Sequence, residues 1–167
     1  MTMIKGKKQG FTPTLLERLL DYEPKKQHES YDAVYIDARQ MRALVQKDIA
    51  CLLNSANLEE LLDEDKHGLV MASVINYGVA PLVGKYSHHH NWSIIEKNIR
   101  NALLRFEPRI IPETLLVRPW PDKEHAGKNS QILFEIRGLI RWQPHPIDLS
   151  LNGSYDAETA KVALKSD

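Results

Sequence analysis

The chain has 167 residues, 22 Lys and Arg against 22 Asp and Glu, 43% hydrophobic residues and one cysteine. At this length a single domain burying roughly 70% of its unfolded surface is expected, and ordinary apolar and charged fractions exclude wholesale disorder, a collagen-like chain and a disulfide framework. Zero net charge argues against electrostatically driven binding to nucleic acid or anionic membranes, because phosphate affinity needs surplus Lys and Arg.

Met1 to Lys8 is basic, but Gly10-Phe11-Thr12-Pro13 follows where a secretory signal needs an apolar run. With the lone Cys51 unable to form an internal disulfide, a soluble protein in the reducing cytoplasm is expected. Residues 1–35 read as an extension: a docking helix, then a polar linker opening at Pro24. Thr12 as N-cap and Pro13 at the first helical position predict a helix whose Leu15, Leu16, Leu19 and Leu20 form one apolar stripe. So short a helix is unstable alone and must dock, either on its own domain or on a partner protein.

Residues 36–167 read as the core domain. Met41, Leu44, Val45, Ile49, Leu52 and Leu53 recur at helical spacing, predicting a helix from about Asp37 to Asn54, with Cys51 an inert packing residue at its flank. The acidic stretch from Leu58 to Asp65 reads as a short solvated helix or loop, and Gly68 to Gly84, free of charge but broken by Asn76, Pro81 and three glycines, as a buried loop-and-turn segment. Ser93 and Glu96 have capping-box spacing for a second helix carrying Ile95, Ile99, Ala102, Leu103 and Phe106; Pro108 ends it at Phe106.

The period then changes to two. Strands are predicted at Thr114–Arg118, at Gln131–Arg137 with a bulge at Gly138 before Leu139–Trp142, at Ile147–Leu151 running into an Asn152-Gly153 hairpin turn, and around Thr159–Leu164. The fold class is α+β: two main amphipathic helices packed on a small, mostly antiparallel sheet, with a helical N-terminal extension.

Chemistry has little foothold. Adjacent side chains diverge, so His88-His89-His90 cannot converge on one metal from regular structure. Glu107 paired with Glu113, Asp122 or Glu135 has the composition of a glycosidase site, but Arg109 beside Glu107 lowers a carboxylate's pKa, the wrong direction for a general acid. Cys51 has no activating neighbour, and neither a nucleophile elbow nor a phosphate-binding loop occurs. No catalytic, cofactor or metal residue is assigned, and no enzyme is expected.

Phe106-Glu107-Pro108-Arg109 is the most informative string. In an extended stretch, residues two apart point the same way, so Glu107 and Arg109 project together, either for polar recognition or with Arg109 meeting the helix C-terminus internally. With Asp48-Ile49, Leu52-Leu53-Asn54, Ser73-Val74-Ile75-Asn76-Tyr77-Gly78 and Phe134-Glu135-Ile136-Arg137-Gly138, it resembles the TssE family, type VI secretion baseplate proteins related to the wedge proteins of contractile phage tails. Pro13 to Leu19 is also similar to the Pro and Glu-Arg-Leu pattern near TssE N-termini.

The resemblance implies a non-enzymatic part of the cytoplasmic baseplate wedge with TssF, TssG and TssK, seeding the contractile TssB/TssC sheath. Glu107, Pro108 and Arg109 would contact TssF and TssG, and a sheet edge would receive sheath strands. The alternative it implies is a soluble anti-adaptor that controls proteolysis of a stress sigma factor. Arg109→Ala is expected to abolish co-purification with TssF and TssG while shifting the thermal melt little.

Overall fold

The computed structural model describes residues 11–21, 24–28, 35–80, 92–120, 131–156 and 158–166. The chain divides into two compact units, 1–41 and 42–167. In the first, Phe11 and Ile36 form an antiparallel bridge, and helix α1 spans Leu15–Leu19. It starts two residues later than predicted, because the β-branched Thr14 keeps an extended backbone and becomes the N-cap. Leu15, Leu16 and Leu19 are exposed. Helix α2 (Ala38–Leu53) starts in this unit behind a reciprocal cap, in which the Asp37 N–H donates to Gln40 Oε1 and the Gln40 N–H to Asp37 Oδ1, each at 2.8 Å.

In the second unit α2 continues with Val45, Ile49, Leu52 and Leu53 buried. Helix α3 (Glu64–Met71) follows, then α4 (Trp92–Phe106), which buries Ile95, Ile99, Ala102 and Leu103. Four strands, β1 (Leu116–Pro119), β2 (Gln131–Ile140), β3 (Ile147–Asp156) and β4 (Lys161–Ser166), form an antiparallel sheet in sequence order. Val117, Phe134, Ile136, Leu149, Leu151 and Tyr155 supply its buried face. Asn54, just past α2, ties helix to sheet: its Nδ2 donates to the Val162 carbonyl and its Oδ1 accepts the Val162 N–H, both at 2.9 Å.

Several predictions yield to tertiary context. Asn152-Gly153 is not a turn: β3 runs straight through it, and a Cβ at Gly153 would lie 2.4 Å from the Phe134 ring, so this glycine makes room for an aromatic side chain. The reversal takes in 158–160, where Asp156 Oδ1 accepts the Glu158 and Thr159 N–H groups and Ala160 takes φ 53. Gly138 makes no bulge, since it pairs in register with Leu149 inside one continuous β2. Helix α4 begins at Trp92, so Ser93 lies within it rather than capping it. Helix α3 was missed because its apolar residues follow no helical face. Cys51 is exposed, not packed. The stretch from Gly68 is buried only in part: Asn76, Gly78 and Val79 are buried, but Leu69, Val70, Val74 and Ile75 face water, and 81–84 lie outside the described residues.

Candidate functional site

Helix α4 ends as proline chemistry requires. The Glu107 N–H makes the last helical bond, to the Leu103 carbonyl at 2.9 Å, and Pro108 then disfavours further α geometry. The Ile110 N–H returns to the Glu107 carbonyl at 3.2 Å, closing a tight corner. Backbone bonds fix the exit to the end of β2: Arg141 N–H to the Arg109 carbonyl, and Ile111 N–H to the Leu139 carbonyl, each at 2.8 Å.

Within this corner Glu107 is buried, 4% exposed, and Arg109 grips it bidentately. Nε donates to Oε1 at 2.7 Å and Nη2 to Oε2 at 2.5 Å, with the Arg109 backbone N–H on Oε1 at 3.2 Å. Nη2 also reaches Asp48 Oδ2 on α2 at 2.5 Å, across 61 positions of sequence. Burial by itself would lower the Arg109 pKa, but the hydrogen bonds to Glu107 and Asp48 outweigh it and hold the guanidinium's pKa above its ordinary value.

The shared direction of Glu107 and Arg109 therefore serves first to join them to each other. What the corner presents outward is exposed Pro108, the partly exposed edge of Arg109 and half-exposed Asp48. This geometry revises the expectation of an unchanged melt for Arg109→Ala, because that change orphans a buried carboxylate.

One further residue belongs to the corner. Tyr77 packs edge-to-face on Phe106, with ring centroids 5.2 Å apart. Burial, then the nearby Cys51, Asp48 and Glu107, push its phenol pKa up. Asp48 and Tyr77 escaped the sequence reading as site residues, because no local spacing links them to Arg109.

The glycosidase composition does not assemble. On the sheet face opposite the core, Glu135 lies 1% exposed between two arginines: Arg118 Nε donates at 2.5 Å, and Arg137 Nε bonds its other oxygen. Burial would raise the Glu135 pKa, but these two bonds hold it below the ordinary carboxylate value, opposite to what a general acid needs. Glu113 is exposed; Asp122 and His88-His89-His90 lie outside the described residues. Among the described residues no cluster of His, Cys, Asp and Glu could hold a metal, and no helix is long and apolar enough to cross a membrane. Glu107, Pro108 and Arg109 thus come together in one corner, while Leu15, Leu16 and Leu19 lie exposed on α1 in the other unit.

No curated protein and no solved structure matches the chain. One family does, over residues 39–145, a span that takes in α2 from its second residue, then α3, α4, the corner, β1 and β2. By that match the chain belongs to the family of the baseplate wedge protein gp25, the family that includes TssE.

Proposed function

We propose that this protein is a TssE-type wedge component of a type VI secretion baseplate, non-enzymatic and cytoplasmic, which joins TssF, TssG and TssK and starts the TssB/TssC sheath. The observation that carries the reading is the Glu107–Pro108–Arg109 corner, held rigid by Asp48 and by β2 within a matched wedge domain. A corner so fixed keeps its exposed proline and guanidinium edge in place before a partner arrives, which lowers the ordering cost of docking. Leu15, Leu16 and Leu19 on α1 supply a second, apolar docking element.

Sheath strands are received at β4. At the opposite edge, the Trp120 N–H bonds the Leu133 carbonyl at 3.0 Å, so the ladder parity turns the backbone groups of Val117 and Pro119 outward. Proline has no N–H to offer there, and β1 spans only four residues. On β4 the Asn54 amide occupies the first outward position, Val162; the next, at Leu164, bonds no described residue.

Co-purification with TssF and TssG tests the reading. Glu107→Gln with Arg109→Gln keeps a neutral hydrogen-bonded pair while removing the guanidinium. The double variant folds and loses the complex. Retention of both partners by the folded double variant, or recovery of a response-regulator-like protein in their place, overturns the proposal.

A further inference from the structure

The segment from Ala56 to Val79 is built inside out. Its neck is closed by a parallel bridge between these two residues and by Val79 N–H to the Ser55 carbonyl at 2.8 Å. Gly78 sits there at φ 131, where a Cβ would come 2.3 Å from the Ser55 oxygen, so only glycine fits. The side chains that hold the interior are polar. Asn57 and Asn76 are buried; Asn76 Oδ1 accepts the Leu58 N–H at 2.9 Å and its Nδ2 donates to the Met71 carbonyl at 3.2 Å, while Asn57 Nδ2 reaches the Gly78 carbonyl at 3.3 Å. Val79 is buried at the neck, but four aliphatic side chains point the other way: Leu61 is 81% exposed, Leu69 91%, Val74 80% and Ile75 84%.

Asparagines inward and aliphatics outward reverse the arrangement that folding alone favours. The buried amides keep the loop in shape, so the exposed side chains are held in place rather than free to collapse onto one another. Exposed aliphatics concentrated in one short, pinned segment mark an interface. Charge narrows the occupant: Glu59, Glu60, Asp63, Glu64 and Asp65 stand against Lys66 as the segment's one lysine. Glu59 and Asp63 are partly occupied, by Arg105 at 3.9 Å and Lys66 at 3.5 Å, whereas Glu60 and Asp65 are exposed. An isologous second copy would set like charges against each other, and an anionic lipid surface would be repelled.

We infer that the Ala56–Val79 segment is a docking platform for a basic amphipathic helix of a partner protein, seated on Leu69, Val74 and Ile75 and flanked by Glu60 and Asp65. The inference stands on this segment alone and does not depend on the corner after α4.

The test titrates the full chain against two synthetic helices with the same leucine face, one lysine-rich and one glutamate-rich, by fluorescence anisotropy. The lysine helix binds at least roughly tenfold more tightly. Leu69→Ser with Ile75→Ser weakens it by roughly tenfold or more, and Glu60→Lys with Asp65→Lys reverses the preference. Both variants melt close to the parent, since these side chains are exposed. Equal affinity for the two helices, no binding of either, or lysine-helix binding unchanged in the serine variant overturns the inference. So does a concentration-dependent dimer that the serine variant abolishes, which would make a second copy the occupant.

Discussion

Glu107 and Glu135 are both sealed from water, both bonded to arginine, and organised in opposite ways. At the corner after α4, two acids, Glu107 and Asp48, share one guanidinium. On the outer face of the sheet, two guanidiniums, Arg118 and Arg137, share one acid. In each cluster the member in short supply holds the other two, so the damage from a substitution should follow that count rather than the residue type. The corner's shared member joins α2 to the segment leaving α4. The sheet's shared member sits on a strand already paired on both sides, so it adds less to the architecture.

The largest effect should come from Arg109→Ala. It leaves the Glu107 carboxylate buried with no cation, at a cost of about 3 kcal/mol, or roughly 6–12 °C in Tm. Urea and thermal unfolding check this, and Glu107→Gln with Arg109→Gln should recover much of the loss. A melt unchanged in Arg109→Ala would show that water reaches Glu107 freely and would end the comparison.

Glu135→Gln comes next, at about 1–2 kcal/mol at neutral pH, since its two arginines are half-exposed and can be hydrated. Its pH dependence sharpens the case. The folded-state pKa of Glu135 lies below the unfolded value, so its stabilisation is present above the ordinary carboxylate range and is lost as pH falls through the depressed value. Urea midpoints measured from pH 6 downward should therefore fall less steeply in Glu135→Gln than in the parent. Parallel curves would mean that the arginines do not hold the charge.

The smallest effects belong to the members in surplus. Arg137→Ala leaves Arg118 on Glu135, and Asp48→Asn leaves Glu107 on Arg109, so each should cost under about 1 kcal/mol. If Arg137→Ala is as damaging as Glu135→Gln, the shared-member rule fails on the sheet.

Much of the framework was legible in the residues. The stripe Val45, Ile49, Leu52 and the stripe Ile95, Ile99, Leu103 have the period of a helix and became the buried faces of α2 and α4. Pro108 stopped α4 where its missing donor and ring demand. The strands were found, but the turn at Asn152-Gly153 and the bulge at Gly138 were misread, because a glycine in a strand pattern does not by itself say whether the chain reverses, bulges or runs on. Gly153 answers to the Phe134 ring, brought in from the neighbouring strand. Of the corner, Glu107, Pro108 and Arg109 were readable as a string; their pairing to Asp48 and the packing of Tyr77 on Phe106 were not.

Periodicity, proline and family resemblance determined that this chain forms two amphipathic helices and a sheet of the wedge type, since those signals act over a few residues and survive without a fold. The tertiary structure decided which charges neutralise one another, which glycine yields to an aromatic ring and which leucines stay outside. Those outcomes depend on distances between residues tens of positions apart, and chain spacing does not encode them.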